Sequence, residues 1–207
     1  MRLPISIVVV VVGAAGLLRG QAGDGFMPLF TGTLAGWHIE NSDSGNFSVS
    51  EGALRVEGPG GWLRSASEYG DVSLRTEFRF LTPDADSGLF VRARGTGGFG
   101  RGWPTSSYQV QIRNPLTPSR LPPVGGLFRH GMPAGETTFD AAKVEKLAKK
   151  TGEWQTLEVD VTGDRLIARF NGEEVLDARG IANPSGYIGL QGETGALEFR
   201  SLEIRRR

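Results

Sequence analysis

The segment QTLEVDVTGDRLIARFNGEEVLDA, residues 155–178, reads as three strands joined by two tight turns. Leu157, Val159 and Val161 alternate with Glu158 and Asp160, the period-two pattern of a half-buried strand. Thr162-Gly163-Asp164 is a turn. Leu166, Ala168 and Phe170 then alternate with Arg165, Ile167 and Arg169. Asn171-Gly172 follows, and both residue types accept the positive φ of a two-residue hairpin. Glu173 to Asp177 returns as the third strand of a meander. Working outward, Val72, Leu74, Thr76, Phe78 and Phe80 face one way. Ser73, Arg75, Glu77 and Arg79 face the other.

Shorter strands are expected at 37–40, 46–50, 53–57, 62–65, 87–94, 107–113, 125–129, 186–191 and 196–205. In the last, Leu197 and Phe199 give way to Leu202 and Ile204, so the phase slips near Ser201 and predicts a bulge. Only 140–149 reads as a helix, with Asp140 as cap and a stripe of Ala141, Val144, Leu147 and Ala148. Many short strands with Gly/Pro turns and one short helix make an all-β chain, an antiparallel sandwich or jelly roll. No low-complexity linker divides it. One domain is expected over residues 23–207.

Residues 1–22 form a different class of segment. Arg2 is followed by an apolar run from Ile5 to Leu18, and Gly20-Gln21-Ala22 places small residues at a cleavage site. This is the charge, length and exit chemistry of a secretory signal peptide. An uncleaved N-terminal anchor is the alternative, and the run is short for a membrane span. Membrane contact is expected only through that segment, and the domain is expected outside the cytoplasm, periplasmic or extracellular. The chain has no cysteine, which excludes disulfides, thiolate metal sites and a cysteine nucleophile. Export without cysteine fits a bacterial source. Its 23 basic and 23 acidic side chains balance. Loss of Arg2 and Arg19 leaves 21 against 23, a charge of −2. No basic surplus points to nucleic acid.

Strong catalytic motifs are absent: no HExxH, no GxSxG, no phosphate-binding loop. Pro83 to Gly88 echoes a calcium loop but lacks most of its ligands and reads as a capped turn. No metal or cofactor is expected. Two stretches break the strand rhythm, a Gly-rich one at 95–105 and a Pro-rich one at 114–124, and long loops of this kind often carry function.

Three strands carry polar faces by parity. Phe90 and Arg92 oppose Leu89 and Val91. Gln109, Gln111 and Arg113 oppose Tyr108, Val110 and Ile112. Gln191 opposes the pair Ile188 and Leu190. Amides and guanidinium forks arrayed together suit neighbouring hydroxyls, as on a sugar. A plainly solvated face remains open on parity alone. Trp103 is the aromatic best placed to stack on a ligand, whereas Trp37 and Trp154 read as core. His130 could act as acid or base near neutral pH. Glu136 and Glu193 stand near loops, where a carboxylate could serve the same chemistry.

The series Phe30-Thr-Gly-Thr-Leu-Ala-Gly-Trp37, Phe47 to Leu54, Glu68 to Arg79, Ser87 to Arg92, Tyr108 to Ile112, Gly152-Glu-Trp154, Gly189-Leu-Gln191 and Leu197 to Ile204 resembles the 3-keto-disaccharide hydrolase domain family. The likeness runs over about residues 26–206. It implies a concanavalin A-like jelly roll of two antiparallel sheets with a concave ligand face. It implies sugar chemistry on glycosides already oxidised to a ketone at C3. The ketone acidifies the C2 proton, a base removes it, and the glycosidic oxygen leaves from C1 before water adds. Such a site needs a base, a leaving-group acid and donors for the enolate oxygen. Arg92, Gln111 and Gln191 match family positions and would be such donors. Two positions depart from the family. Gln109 stands where its strand commonly has glutamate, and Gly192-Glu193-Thr194 stands where a histidine is common. An amide is no base, so Glu193, Glu136 or His130 would have to supply the missing group.

The sequence therefore leads to an exported hydrolase or lyase of glycosides, with carbohydrate as ligand and neither nucleic acid nor cofactor as partner. The expected site is Glu193, His130 and Glu136 for catalysis, with Arg92, Gln109, Gln111, Arg113, Gln191 and Trp103 holding the sugar. A non-catalytic carbohydrate-binding domain of the same fold, and a sandwich with a structural role, are the competing readings.

Overall fold

The computed structural model describes residues 24–95 and 101–207. The leader of residues 1–22 and Phe99 of the Gly-rich loop lie outside them. Among the described residues fifteen strands, one α-helix and a 3-10 turn at Ser44–Asn46 follow in chain order. They are β1 (Met27–Pro28), β2 (Trp37–Glu40), β3 (Phe47–Ser50), β4 (Ala53–Glu57), β5 (Trp62–Tyr69), β6 (Val72–Phe80), β7 (Asp86–Arg94) and β8 (Ser106–Arg113). After them come β9 (Leu127–His130), β10 (Thr137–Phe139), α1 (Ala141–Leu147), β11 (Gln155–Thr162), β12 (Arg165–Phe170), β13 (Glu173–Arg179), β14 (Gly186–Gln191) and β15 (Ala196–Arg206). One sheet runs β10-β13-β12-β11-β6-β15-β4-β3, with β1 added on β15. The other runs β2-β5-β14-β7-β8-β9. All pairings are antiparallel, so the chain is a two-sheet jelly-roll sandwich with one short helix, as the sequence leads one to expect.

The meander of 155–178 forms β11, β12 and β13, with Val159 opposite Ala168. Asn171 and Gly172 turn the second hairpin with φ of 48° and 88°, the positive values its turn type needs. β11 continues onto β6, where Leu157 faces Thr76 and Val159 faces Leu74. The inward residues of these strands, Leu74, Phe78, Phe80, Leu157, Val159, Leu166 and Phe170, meet Leu63, Leu89, Val110, Ile112 and Leu190 of the other sheet. Each large apolar side chain so buried contributes roughly 1.5–3 kcal/mol over an exposed one. The slip at Ser201 is a register shift between Phe199 and Ser201 in the β15–β6 ladder. The bulge is bridged locally: Thr76 Oγ1 donates to the Ser201 carbonyl at 2.7 Å, and Glu77 N–H donates to Ser201 Oγ.

Periodicity missed the short edge strands β1 and β10, which have too few residues to show a period. The helix is a little shorter than expected, and the Asp140 side chain accepts from Lys143 N–H at its start. Trp37 joins the core. Trp154 does not. It lies on the outer face of the large sheet between the guanidinium groups of Arg79 and Arg200, 4.7 and 4.6 Å from its ring centre. That face carries cross-strand pairs such as Arg75–Glu203 and Arg79–Glu198. Pairs this exposed contribute about 0–1 kcal/mol each and mainly keep the face hydrated. Among the described residues no helix is long and apolar enough to cross a membrane.

Candidate functional site

The site lies on the face of the six-stranded sheet turned away from the core. Strand alternation puts Val110 and Ile112 of β8 inward and Gln109 and Gln111 outward. Outward here does not mean wet. Gln109, Gln111 and Gln191 are 2%, 1% and 1% exposed, which excludes a solvated face. Two loops cover them. Trp103, from the described end of the Gly-rich stretch, is pinned by its Nε1–H on the Gly192 carbonyl at 3.1 Å. Asn41 Nδ2 holds the same loop through the Gly102 carbonyl. Leu121 comes from the Pro-rich stretch. Together Trp103, Leu121, Phe128, His130, Glu193, Gln109, Gln111 and Gln191 enclose a cleft of about 140 Å³. Beneath Trp103, Trp62, Phe90 and Ala93 form a small apolar cluster of their own.

The three amides are bonded to one another. Gln109 Nε2 donates to Gln111 Oε1 at 2.6 Å and to Gln191 Oε1 at 2.9 Å. Gln109 Oε1 lies 2.7 Å from His130 Nε2. Gln111 Nε2 donates to Asp86 Oδ1 at 2.7 Å. Two glycines make room for this. A Cβ on Gly88 would lie 2.5 Å from Gln109 Cγ, and one on Gly189 would lie 2.5 Å from the Trp62 ring. Their need is space, not a positive φ. His130 stacks parallel to Phe128 at 5.9 Å and is 8% exposed.

Burial shapes the protonation of three groups here, His130, Glu193 and Asp86. It pushes the His130 imidazole below its ordinary value, so the ring is neutral at pH 7. It raises the Glu193 carboxyl, against the pull of Arg101 and a hydrogen bond from Gln191. Asp86 is pushed up to about 8 by burial first and by the Glu193 charge second, with Arg113 opposing. Two carboxyls and an imidazole shifted in this manner make this region the candidate site. Among the described residues no group of three metal-ligating side chains gathers.

The residues singled out from sequence divide clearly. Glu193, His130, Gln109, Gln111, Gln191 and Trp103 meet in the one cleft. Glu136 does not line it. After β9 the chain crosses to the edge of the other sheet, and Glu136 sits exposed just before β10. Arg92 also falls outside. The β7–β8 ladder bulges between Val91 and Arg94, and Arg92 takes a φ of 47° there, so simple alternation fails. Its buried guanidinium instead joins Asp71 at 2.6 Å and the carbonyls of Gly163 and Asn183. Arg113 is a brace: it donates to the Pro122, Asn114, Thr117 and Leu121 carbonyls and so holds the Pro-rich loop that presents Leu121. Asp86 was missed. Alternation from Phe90 back through Gly88 reaches it, but the turn-like Pro83–Gly88 stretch masked the signal.

Solved structures share this fold. A candidate glycosyl hydrolase from Parabacteroides distasonis matches with a TM-score of 0.69 at 20% identity, covering 89% of this chain and all of that one. The carbohydrate-binding module CBM66 from Bacillus subtilis matches at 0.59 and 12% identity, covering 81% and 93%. The β-glucanase of Bacillus licheniformis matches at 0.51 and 16% identity, covering 90% and 100%. These establish a concanavalin A-like glucanase and lectin fold. No curated protein sequence matches significantly. The model of one family covers residues 25–205, nearly all of the described chain, and on that match the protein belongs to the 3-keto-alpha-glucoside-1,2-lyase-like domain family.

Proposed function

We propose that this protein is an exported enzyme that cleaves 3-keto-glycosides by elimination across C1 and C2. The observation that carries the reading is the meeting of Glu193 and His130 in one cleft with stacking aromatics and buried amides. Family membership supports the same chemistry. Glu193 is the base. Burial raises its carboxyl, which makes it a stronger base than an exposed glutamate. The carboxylate takes the C2 proton, and the bonding pair moves into the C3 carbonyl as an enolate. The enolate pair then returns to form the C1–C2 double bond and expels the glycosidic oxygen, which regains a proton from Glu193. Water activated by the neutral His130 adds to C1. Arg101, whose Nη1 donates to the Glu193 carbonyl at the mouth, supplies positive charge to the developing enolate. Trp103 and Phe128 present rings for the sugar.

A carbohydrate-binding domain that does not cleave is the second reading, and Gln109 favours it. That amide stands where the family commonly has glutamate, and both its hydrogens are used inside the protein. Incubation with 3-keto-trehalose, 3-keto-lactose and their unoxidised parents separates the two. Monosaccharide release from the keto forms alone is the expected result. Saturable binding without release would replace the enzyme by the binding domain. Export belongs to the proposal and rests on residues 1–22. Protein recovered outside the cytoplasm should begin at Gly23, and an N-terminus retaining Met1 would remove signal cleavage from it.

A further inference from the structure

Every hydrogen bond of the buried amide network points the same way. A primary amide offers two N–H donors on nitrogen and acceptor sites on oxygen. Gln109 spends both donors, on Gln111 and Gln191, so its oxygen must face His130. The His130 nitrogen at that oxygen, Nε2, must then carry the hydrogen. Beyond Gln109 the network forks. One arm runs through Gln111, whose Nε2 donates to Asp86 Oδ1 at 2.7 Å, and the other ends at Gln191. The first arm therefore ends on a carboxyl oxygen that accepts. Reversing one amide would set N–H against N–H or oxygen against oxygen, so the polarity is shared along the whole fork.

We propose that Asp86, acting through Gln111 and Gln109, holds His130 in its Nε2–H tautomer and so puts the basic nitrogen at Nδ1. Asp86 is on this account a positioning residue. It does not line the sugar cleft. It opens onto a neighbouring cleft of about 180 Å³ with Arg113, Thr117, Ser119 and Thr194. The inference rests on the proposed function only in placing a substrate beside His130; the hydrogen-bond argument holds for a binding domain too.

The tautomer can be read directly by ¹⁵N NMR of the full chain labelled at histidine. The chain has two histidines, so loss of one set of signals in His130→Gln assigns them. A single dominant Nε2–H form is expected for His130. Asp86→Ala removes the acceptor at the end of the network. The ratio of Nε2–H to Nδ1–H should then fall about tenfold or more. Asp86→Asn keeps an oxygen there and should restore the original form. A folded Asp86→Ala variant with an unchanged tautomer would overturn the proposal, as would an Nδ1–H form in the parent protein. Should Asp86→Ala fail to fold, Gln111→Met cuts the same arm at similar volume and is read by the same criterion. An Nε2–H parent, a shifted Asp86→Ala variant and no turnover of any glycoside would sustain this inference while sinking the enzyme reading.

Discussion

Glu193→Gln should lower the release of monosaccharide from a 3-keto-disaccharide by about 10²–10⁴-fold, the usual contribution of a positioned acid–base group. Binding of the same sugar should change far less. The substitution keeps the size and shape of the side chain, so the cleft should stay intact. What it removes is the ability to take and return a proton. Deuterium offers a second measure: parent enzyme in heavy water should exchange the C2 hydrogen of recovered substrate, and the variant should not. Turnover and exchange persisting at the parental rate in Glu193→Gln would remove this residue from the chemistry and leave His130 as the base.

The second large effect concerns stability against pH at Asp86. In the fold this carboxyl keeps its proton up to about pH 8, against 3.8 when unfolded. Between those values the folded chain binds the extra proton. Stability from this group is therefore complete below about pH 4 and is lost as pH rises through 8. A tenfold difference in proton affinity is about 1.4 kcal/mol, so the loss lies between about 2 and 5 kcal/mol once relaxation of the buried site is allowed for. Glu193, also raised, adds loss of the same sign. Asp86→Asn keeps an oxygen for Gln111 and carries no charge to bury. Urea unfolding at several pH values from 5 to 8.5 should show the parent weakening and the variant nearly level. Equal slopes for the two would show that Asp86 ionises freely in the fold.

Much of the architecture was open to sequence reading because its signals are local. Period two in β6, β11 and β12, Asn171-Gly172 at the hairpin and the phase slip near Ser201 each involve residues within one strand or turn. The same parity placed Gln109, Gln111 and Gln191 on one outward face. It failed at Arg92, where a bulge and a left-handed φ re-aim the side chain. It also stopped short of Asp86, two strand positions before Gly88, because turn-forming residues surround it. Glu136 and Glu193 looked alike in sequence, both being loop glutamates. The crossing from β9 to the far sheet carries one away, and the turn between β14 and β15 keeps the other beside Trp103.

The sequence by itself determined that the chain is an all-β sandwich and which side chains face its core. Burial of alternate apolar residues leaves a strand no other choice. Only the tertiary structure decided that the polar face is dry and that its amides are joined end to end. Gln109 and Gln191 are 82 residues apart, and Asp86 and Gln111 are 25 apart. Their meeting depends on the β14-β7-β8 order, and their dryness on the Trp103 and Leu121 loops folding over them. A buried amide must find a partner wherever the fold supplies one, and no short-range pattern encodes which partner that will be.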